Sequence, residues 1–169
     1  MNMAHLFDEC LTYAMKRIGK DGLGGKDEQK QAIQDVYEGK DVFVWLPTGY
    51  GKSVCYECLP FLYDMKLDRH LSEQERSVVL VISPLVSLMV DQVSSLISRG
   101  VPAAILSSQG SIDKSLLATE GDLSRFSLLF AAPEAIIGVE KWRNRFLEPP
   151  LCNQVVAIAV DEAHCLSRW

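Results

Sequence analysis

Two short stretches hold the residues with the most chemical potential. The first is Leu46-Pro47-Thr48-Gly49-Tyr50-Gly51-Lys52-Ser53, set between an apolar run and a helical pattern. Gly49 and Gly51 can adopt the positive φ angles that turn successive backbone N–H groups inward, Lys52 supplies a point charge, and the Ser53 hydroxyl can ligate a divalent cation. That combination cradles phosphates. The full phosphate-loop pattern has Gly at its first position, where this chain has Leu46, so a glycine-rich turn with an incidental Lys-Ser stays open on this stretch alone. The second stretch is Asp161-Glu162-Ala163-His164, directly after the apolar run Val155–Val160. A carboxylate at the end of a parallel strand can hold the cation that accompanies a triphosphate, and a second beside it can orient or deprotonate an attacking water. Alone, Asp-Glu after a strand is more often a helix N-terminal pair. Coupled to an upstream Gly-Lys-Ser loop, the nucleotide reading is the stronger one.

Positioning these stretches requires strands and helices in alternation, and the sequence supplies them. Apolar spacing predicts an amphipathic helix over about 4–18, ended by Gly19, then a flexible joint rich in glycine (Gly22, Gly24, Gly25), and a second helix from near Asp27 to Tyr37. A first buried strand is expected over 41–46 and a helix from Ser53 to about Tyr63. The mixed-charge run 64–77, with a solvated His70, reads as an exposed connection. Val78–Ile82 is continuously apolar, as for a strand covered on both faces. Ser83-Pro84 reads as an N-cap and first-turn proline of a helix reaching Gly100. Strands at 103–106, 126–131 and 155–160 follow, with a helix expected over about 111–119 and helical pieces from 134 and over 139–146. The pattern is α/β, a sheet mainly parallel with helices on both faces, and every unusual motif falls at the strands' carboxyl ends.

Composition narrows the partners. The 169 residues suffice for one well-buried core, and a net charge of −5 argues against binding nucleic acid by bulk basicity, so any such contact is local. No apolar run has the length of a membrane span and no secretory leader is recognisable, which suggests a cytosolic or nuclear protein. Five cysteines, an odd number spread along the chain, fit reduced thiols, and Cys55-x-x-Cys58 lacks a second ligand pair for a metal.

With these motifs placed, the chain resembles the first RecA-like domain of a superfamily 2 DNA helicase, and most closely the RecQ family. The resemblance runs from about Lys26 to Trp169, on Lys26 and Gln29, Leu46–Tyr56, Ser83–Gln92, Ala132-Pro133-Glu134 and Asp161–Trp169; helicases of this superfamily do not require Gly at the Leu46 position. It implies a RecA-like three-layer sandwich over 26–169, preceded by a separate helix and joint over 1–25. It further implies ATP and Mg²⁺ as cofactors. Gln29 would read the adenine edge with Lys26 nearby, Thr48 to Gly51 would wrap the phosphates, Lys52 would bind the β- and γ-phosphates, Ser53 and Asp161 would hold Mg²⁺, and Glu162 would act on the attacking water. His164 would couple that site to DNA. Ser83, Pro84, Leu85, Ser107, Ser108, Pro133 and Glu134 would meet the backbone of single-stranded DNA, with Arg168 and Trp169 opening an aromatic-rich loop.

By the same resemblance the parent would be a 3′–5′ DNA helicase of recombination and repair, acting on single strands and duplex junctions, nuclear in a eukaryote and otherwise cytoplasmic. The chain would stop inside the aromatic-rich loop, short of a second RecA-like domain that carries an arginine finger. Alone it is expected to bind ATP weakly and neither to turn it over appreciably nor to unwind duplex. A non-catalytic helicase-like binding module and an RNA helicase of the same superfamily stay open as alternatives.

Overall fold

In the computed structural model, residues 3–20, 26–69, 76–107, 112–118 and 120–163 are described. Four parallel strands, β1 (Val78–Ile82), β2 (Ala103–Leu106), β3 (Leu128–Ala131) and β4 (Val155–Val160), form a sheet in the order β2-β3-β1-β4. Register pairs Ile82 with both Ala131 and Val160, and Leu106 with Ala131, so the carboxyl ends of all four strands align along one edge.

Alternation along the strands feeds two cores. Val79, Val81, Ala103, Ile105, Leu128 and Phe130 face one apolar layer, built from α1 (Met3–Arg17), α2 (Asp27–Tyr37), α3 (Val54–Glu57), α4 (Leu59–Lys66) and α5 (Val86–Ser98). Val78, Leu80, Ala104, Leu106 and Leu129 face the other, which holds Trp142 of α7 (Glu140–Leu147) and Leu151 of α8 (Leu151–Gln154), with α6 (Pro133–Gly138) alongside. Two covered faces explain why these strands are apolar throughout. The result is the three-layer α/β arrangement expected from the sequence. The helix before residue 26 packs into the first core, which buries Phe7, Cys10, Leu11 and Ala14 of α1 and Ile18 just after it. The glycine-rich joint over 21–25 lies outside the described residues.

The structure corrects several expectations. Residues 41–46 form no strand; their burial alternates residue by residue as a strand's would, yet Phe43 and Trp45 are 76% and 86% exposed and no described strand pairs with them. β4, expected to be buried, borders only β1 among the described strands, and Ile158 is 64% exposed. The expected 53–63 helix is stepped at Cys58, because Pro60 has no N–H with which to continue the helical ladder. Ser83 does not cap α5. Its N–H donates to Ala131 O at 3.0 Å, prolonging the strand ladder, and its place before Pro84 disfavours helical angles, so α5 starts after an extended Leu85. Of the expected 111–119 helix, the described residues 112–118 form only a 3₁₀ turn over Lys114–Leu116, since Leu117 and Ala118 are drawn into pairing with Ile105.

The 64–77 connection is not wholly exposed either; His70 lies outside the described residues. Asp64 is buried and its Oδ1 accepts the Ser77 N–H at 2.6 Å. Burial raises its carboxyl above the usual carboxylate range, against the lowering effect of that hydrogen bond and of Arg76 and Arg69. The folded protein therefore holds this proton more tightly than the unfolded chain. The stabilisation is complete below the ordinary carboxylate pKa and is lost as pH rises through the raised value. Asp64→Asn keeps the carbonyl acceptor and cannot ionise. It is expected to raise the melting temperature at neutral pH and to flatten the pH dependence just above the carboxylate range; a melting temperature at neutral pH no higher than the parent's would refute this.

Candidate nucleotide-binding site

The phosphate loop forms locally. Gly49 and Gly51 take φ of +80° and +81°, and Tyr50 N–H closes a turn on Pro47 O at 3.2 Å. These left-handed angles are open to glycine at little cost and strain other residues. Around Gly51 the space is also limited, since a Cβ there would meet Gln29 Nε2 at 3.2 Å, whereas nothing lies within 4 Å of one at Gly49. The loop is braced from α2's start: Gln29 Nε2 donates to Tyr50 O and Gly51 O, both at 2.8 Å, and Lys26 Nζ donates to Tyr50 O at 2.8 Å while standing 4.7 Å from the centre of the Tyr50 ring. Gln29 is buried, and its amide nitrogen is committed to the loop rather than presented to a base. Lys52 folds back, its Nζ donating to Leu46 O at 3.0 Å and Pro47 O at 3.3 Å. Thr48 is exposed at the loop's crest.

Asp161 follows β4, its N–H donating to Ile82 O at 2.9 Å. Its Oδ2 accepts from the Tyr56 hydroxyl at 3.2 Å and from Gln92 Nε2 at 3.0 Å, and its Oδ1 accepts the Glu162 N–H at 3.0 Å. Tyr56 lies three residues beyond Ser53, so its hydroxyl joins the first turn after the phosphate loop directly to the acidic strand end. Burial, and next the Asp161 carboxylate, push the Tyr56 hydroxyl well above the usual phenol range, which keeps it a hydrogen-bond donor. Glu162 holds a left-handed φ of +52°, a backbone position found where neighbouring structure dictates it. A cleft of about 460 Å³ opens beside these groups, lined by Ser53, Glu57, Gln92, Ser95 and Arg99.

The loop and the acidic pair are thus brought together. Two glycines at left-handed angles, a lysine with exchangeable neutral acceptors, a serine on the cleft and a carboxylate tied by Tyr56 to the turn that follows the loop constitute a donor set that fits a triphosphate with its divalent cation. Ser53 and Asp161 would hold such a cation, which would neutralise phosphate charge there. Cys55 and Cys58 take no part: burial pushes the Cys55 thiol up to about 11 and Cys58 higher still, so both stay protonated at neutral pH.

Other expected positions fall along the same edge but farther off. Pro133 and Glu134 follow β3, two strands from β4, and Ser107 follows β2, three strands away, offsets of roughly 10 and 14 Å at the usual strand spacing. Glu134 and Leu85 are exposed, whereas Pro133 is buried, so any contact it makes is through its backbone. Ser83 is fully buried and its Oγ makes no hydrogen bond, so the structure withdraws it from direct contact with any ligand at the surface. Ser108, His164, Arg168 and Trp169 lie outside the described residues. Sequence reasoning assigned no role to Tyr56 or Gln92. Gln92 did carry a signal, as a polar side chain within the apolar stripe that buries Met89, Val93 and Leu96.

The sequence profile of the DEAD/DEAH box helicase family matches residues 26–169. Among curated proteins the chain is similar to ATP-dependent helicase SGS1 of Saccharomyces cerevisiae (35% identical, covering 86% of the chain and 10% of that protein). It is also similar to ATP-dependent DNA helicases RecQ of Synechocystis sp. (38%, 95% of the chain and 30% of that protein) and of Haemophilus influenzae (33%, 83% and 20%). The chain thus spans less than a third of the length of each of these relatives.

Proposed function

The chain belongs to the DEAD/DEAH box helicase family, and from that premise we propose that it is the nucleotide-binding part of an ATP-driven DNA motor of the RecQ kind. The observation that carries this reading is the Tyr56–Asp161 hydrogen bond, which sets the phosphate loop and the acidic strand end side by side. Lys52 binds the terminal phosphates, Ser53 and Asp161 hold Mg²⁺, and Glu162 acts on the attacking water. Lys26, Gln29 and Thr48 to Gly51 shape the nucleotide pocket, where Gln29 can read adenine only by exchanging its loop contacts. Pro84, Leu85, Ser107, Ser108, Pro133, Glu134, Arg168 and Trp169 serve the DNA side, and His164 couples the two.

The names of the relatives support ATP and DNA as the substrates; 3′–5′ unwinding at junctions in recombination and repair, a second RecA-like domain, and a nuclear or cytoplasmic location are part of the same proposal. Among the described residues no helix is long and apolar enough to cross a membrane.

Equilibrium binding of a fluorescent ATP analogue to this chain, with and without Mg²⁺, tests the core of the proposal. Binding is expected to be saturable and tighter with Mg²⁺. Lys52→Ala is expected to weaken it about 100-fold, since a cation loses charge-assisted bonds to phosphate worth ~3 kcal/mol. A variant that binds as well as the parent, or a parent that does not bind, would overturn the assignment.

A further inference from the structure

We infer that Tyr56 and Gln92 are positioning residues that hold the Asp161 carboxylate so that one oxygen, Oδ1, is presented to the divalent cation. This inference rests on the nucleotide-site reading above. An ionised carboxylate offers about four lone-pair sites, two on each oxygen. On Oδ2 both are taken, by the Tyr56 hydroxyl at 3.2 Å and by Gln92 Nε2 at 3.0 Å; on Oδ1 one is taken, by the Glu162 N–H at 3.0 Å. Among the described residues, nothing takes the remaining lone pair on Oδ1. The carboxylate is therefore a single-oxygen ligand, fixed in rotation by three donors on three separate elements: α3, α5 and the turn after β4.

The two side chains are themselves held. The Tyr56 ring is buried edge-on against Phe130, with centroids 6.4 Å apart at 73°. Gln92 sits on α5 among Met89, Val93 and Leu96, and its amide has one chemically sensible orientation, because turning Oε1 toward Asp161 would oppose two acceptors. That orientation leaves Oε1 buried and without a hydrogen bond, on a residue that lines the cleft with Ser53. A group whose only function was to stabilise the fold gains little from such an arrangement, since an unsatisfied buried acceptor is destabilising. Holding Asp161 is the compensating role. Because α5 follows the Ser83–Leu85 turn at the sheet edge, the Gln92 bond also ties that turn's helix to the cation ligand.

Tyr56→Phe deletes one oxygen and Gln92→Met replaces the amide by an apolar chain of similar length. Both are tested in this chain by titrating Mg²⁺ or Mn²⁺ at fixed fluorescent nucleotide, alongside nucleotide binding in excess chelator and thermal melting. Each variant is expected to need on the order of 10-fold more cation for half-saturation, the usual cost of losing a group that orients a metal ligand. Cation-free nucleotide binding should stay at the parent's value, and Gln92→Met should melt no lower than the parent. Parent-like cation dependence in both variants overturns the inference while leaving the nucleotide site intact, and equal losses with and without cation overturn it in favour of general disruption. Absence of cation-dependent binding in the parent itself refutes the underlying site.

Discussion

Glu162→Gln, placed in a protein that joins this chain to the remainder found in its relatives, is expected to lower DNA-stimulated kcat for ATP by about 10²- to 10⁴-fold, the usual contribution of a general base. Binding of Mg·ATP should be preserved. The split follows from the site's geometry. Glu162 contributes its backbone N–H to Asp161 Oδ1, and that bond survives the substitution, so the cation ligand keeps its orientation. Its left-handed φ of +52° is no harder for Gln than for Glu. The substitution removes the side chain's negative charge and with it the capacity to take a proton. Parallel measurement of steady-state turnover and of nucleotide affinity decides the matter: turnover at the parent's rate would eliminate Glu162 as the residue acting on water, and lost binding would make it structural.

Arg99→Met is expected to destabilise the fold by about 2–3 kcal/mol, below the range for breaking a fully buried ion pair on one side because Arg99 is 23% exposed. Arg99 Nη1 and Nη2 each donate to Glu57 Oε2 at 3.2 Å, Nη1 also to Ile18 O at 2.8 Å, and Nε to Ser95 O at 3.2 Å. One guanidinium thus joins the end of α1, the last turn of α3 and its own helix. The Glu57 side chain is 6% exposed, and although it borders the cleft, solvent replaces the lost partner only in part. Urea unfolding of the single variant and of Arg99→Met with Glu57→Leu separates the causes. The double variant should recover much of the loss, because two apolar side chains leave no buried charge. A single-variant loss below about 1 kcal/mol would place this pair with ordinary surface ion pairs.

The two experiments address different ends of one assembly. Glu57 directly follows Tyr56, so the Arg99–Glu57 pair anchors the turn that delivers the Tyr56 hydroxyl to Asp161. Stability of the α1–α3–α5 junction and presentation of the cation ligand are thereby linked through a single helical turn.

By itself the sequence determined the repeating α/β order, the parallel sheet and the chemistry of the two stretches that meet at its edge. Those features are local: unbroken apolar runs at 78–82 and 128–131, the spacing of Phe7, Cys10, Leu11 and Ala14, and glycines at 49 and 51 whose freedom the loop uses. Tertiary structure decided the rest, because it depends on which groups compete for the same partner. Ser83 has cap chemistry, yet the β1–β3 ladder claims its N–H. Residues 41–46 have a strand's composition, but a strand exists only where a neighbour pairs with it. Gln29 has the amide to read a base and spends its donors on the loop carbonyls. Tyr56 and Gln92, 36 positions apart in the chain, reach one carboxylate oxygen only because β4 lies beside β1 and places Asp161 between α3 and α5.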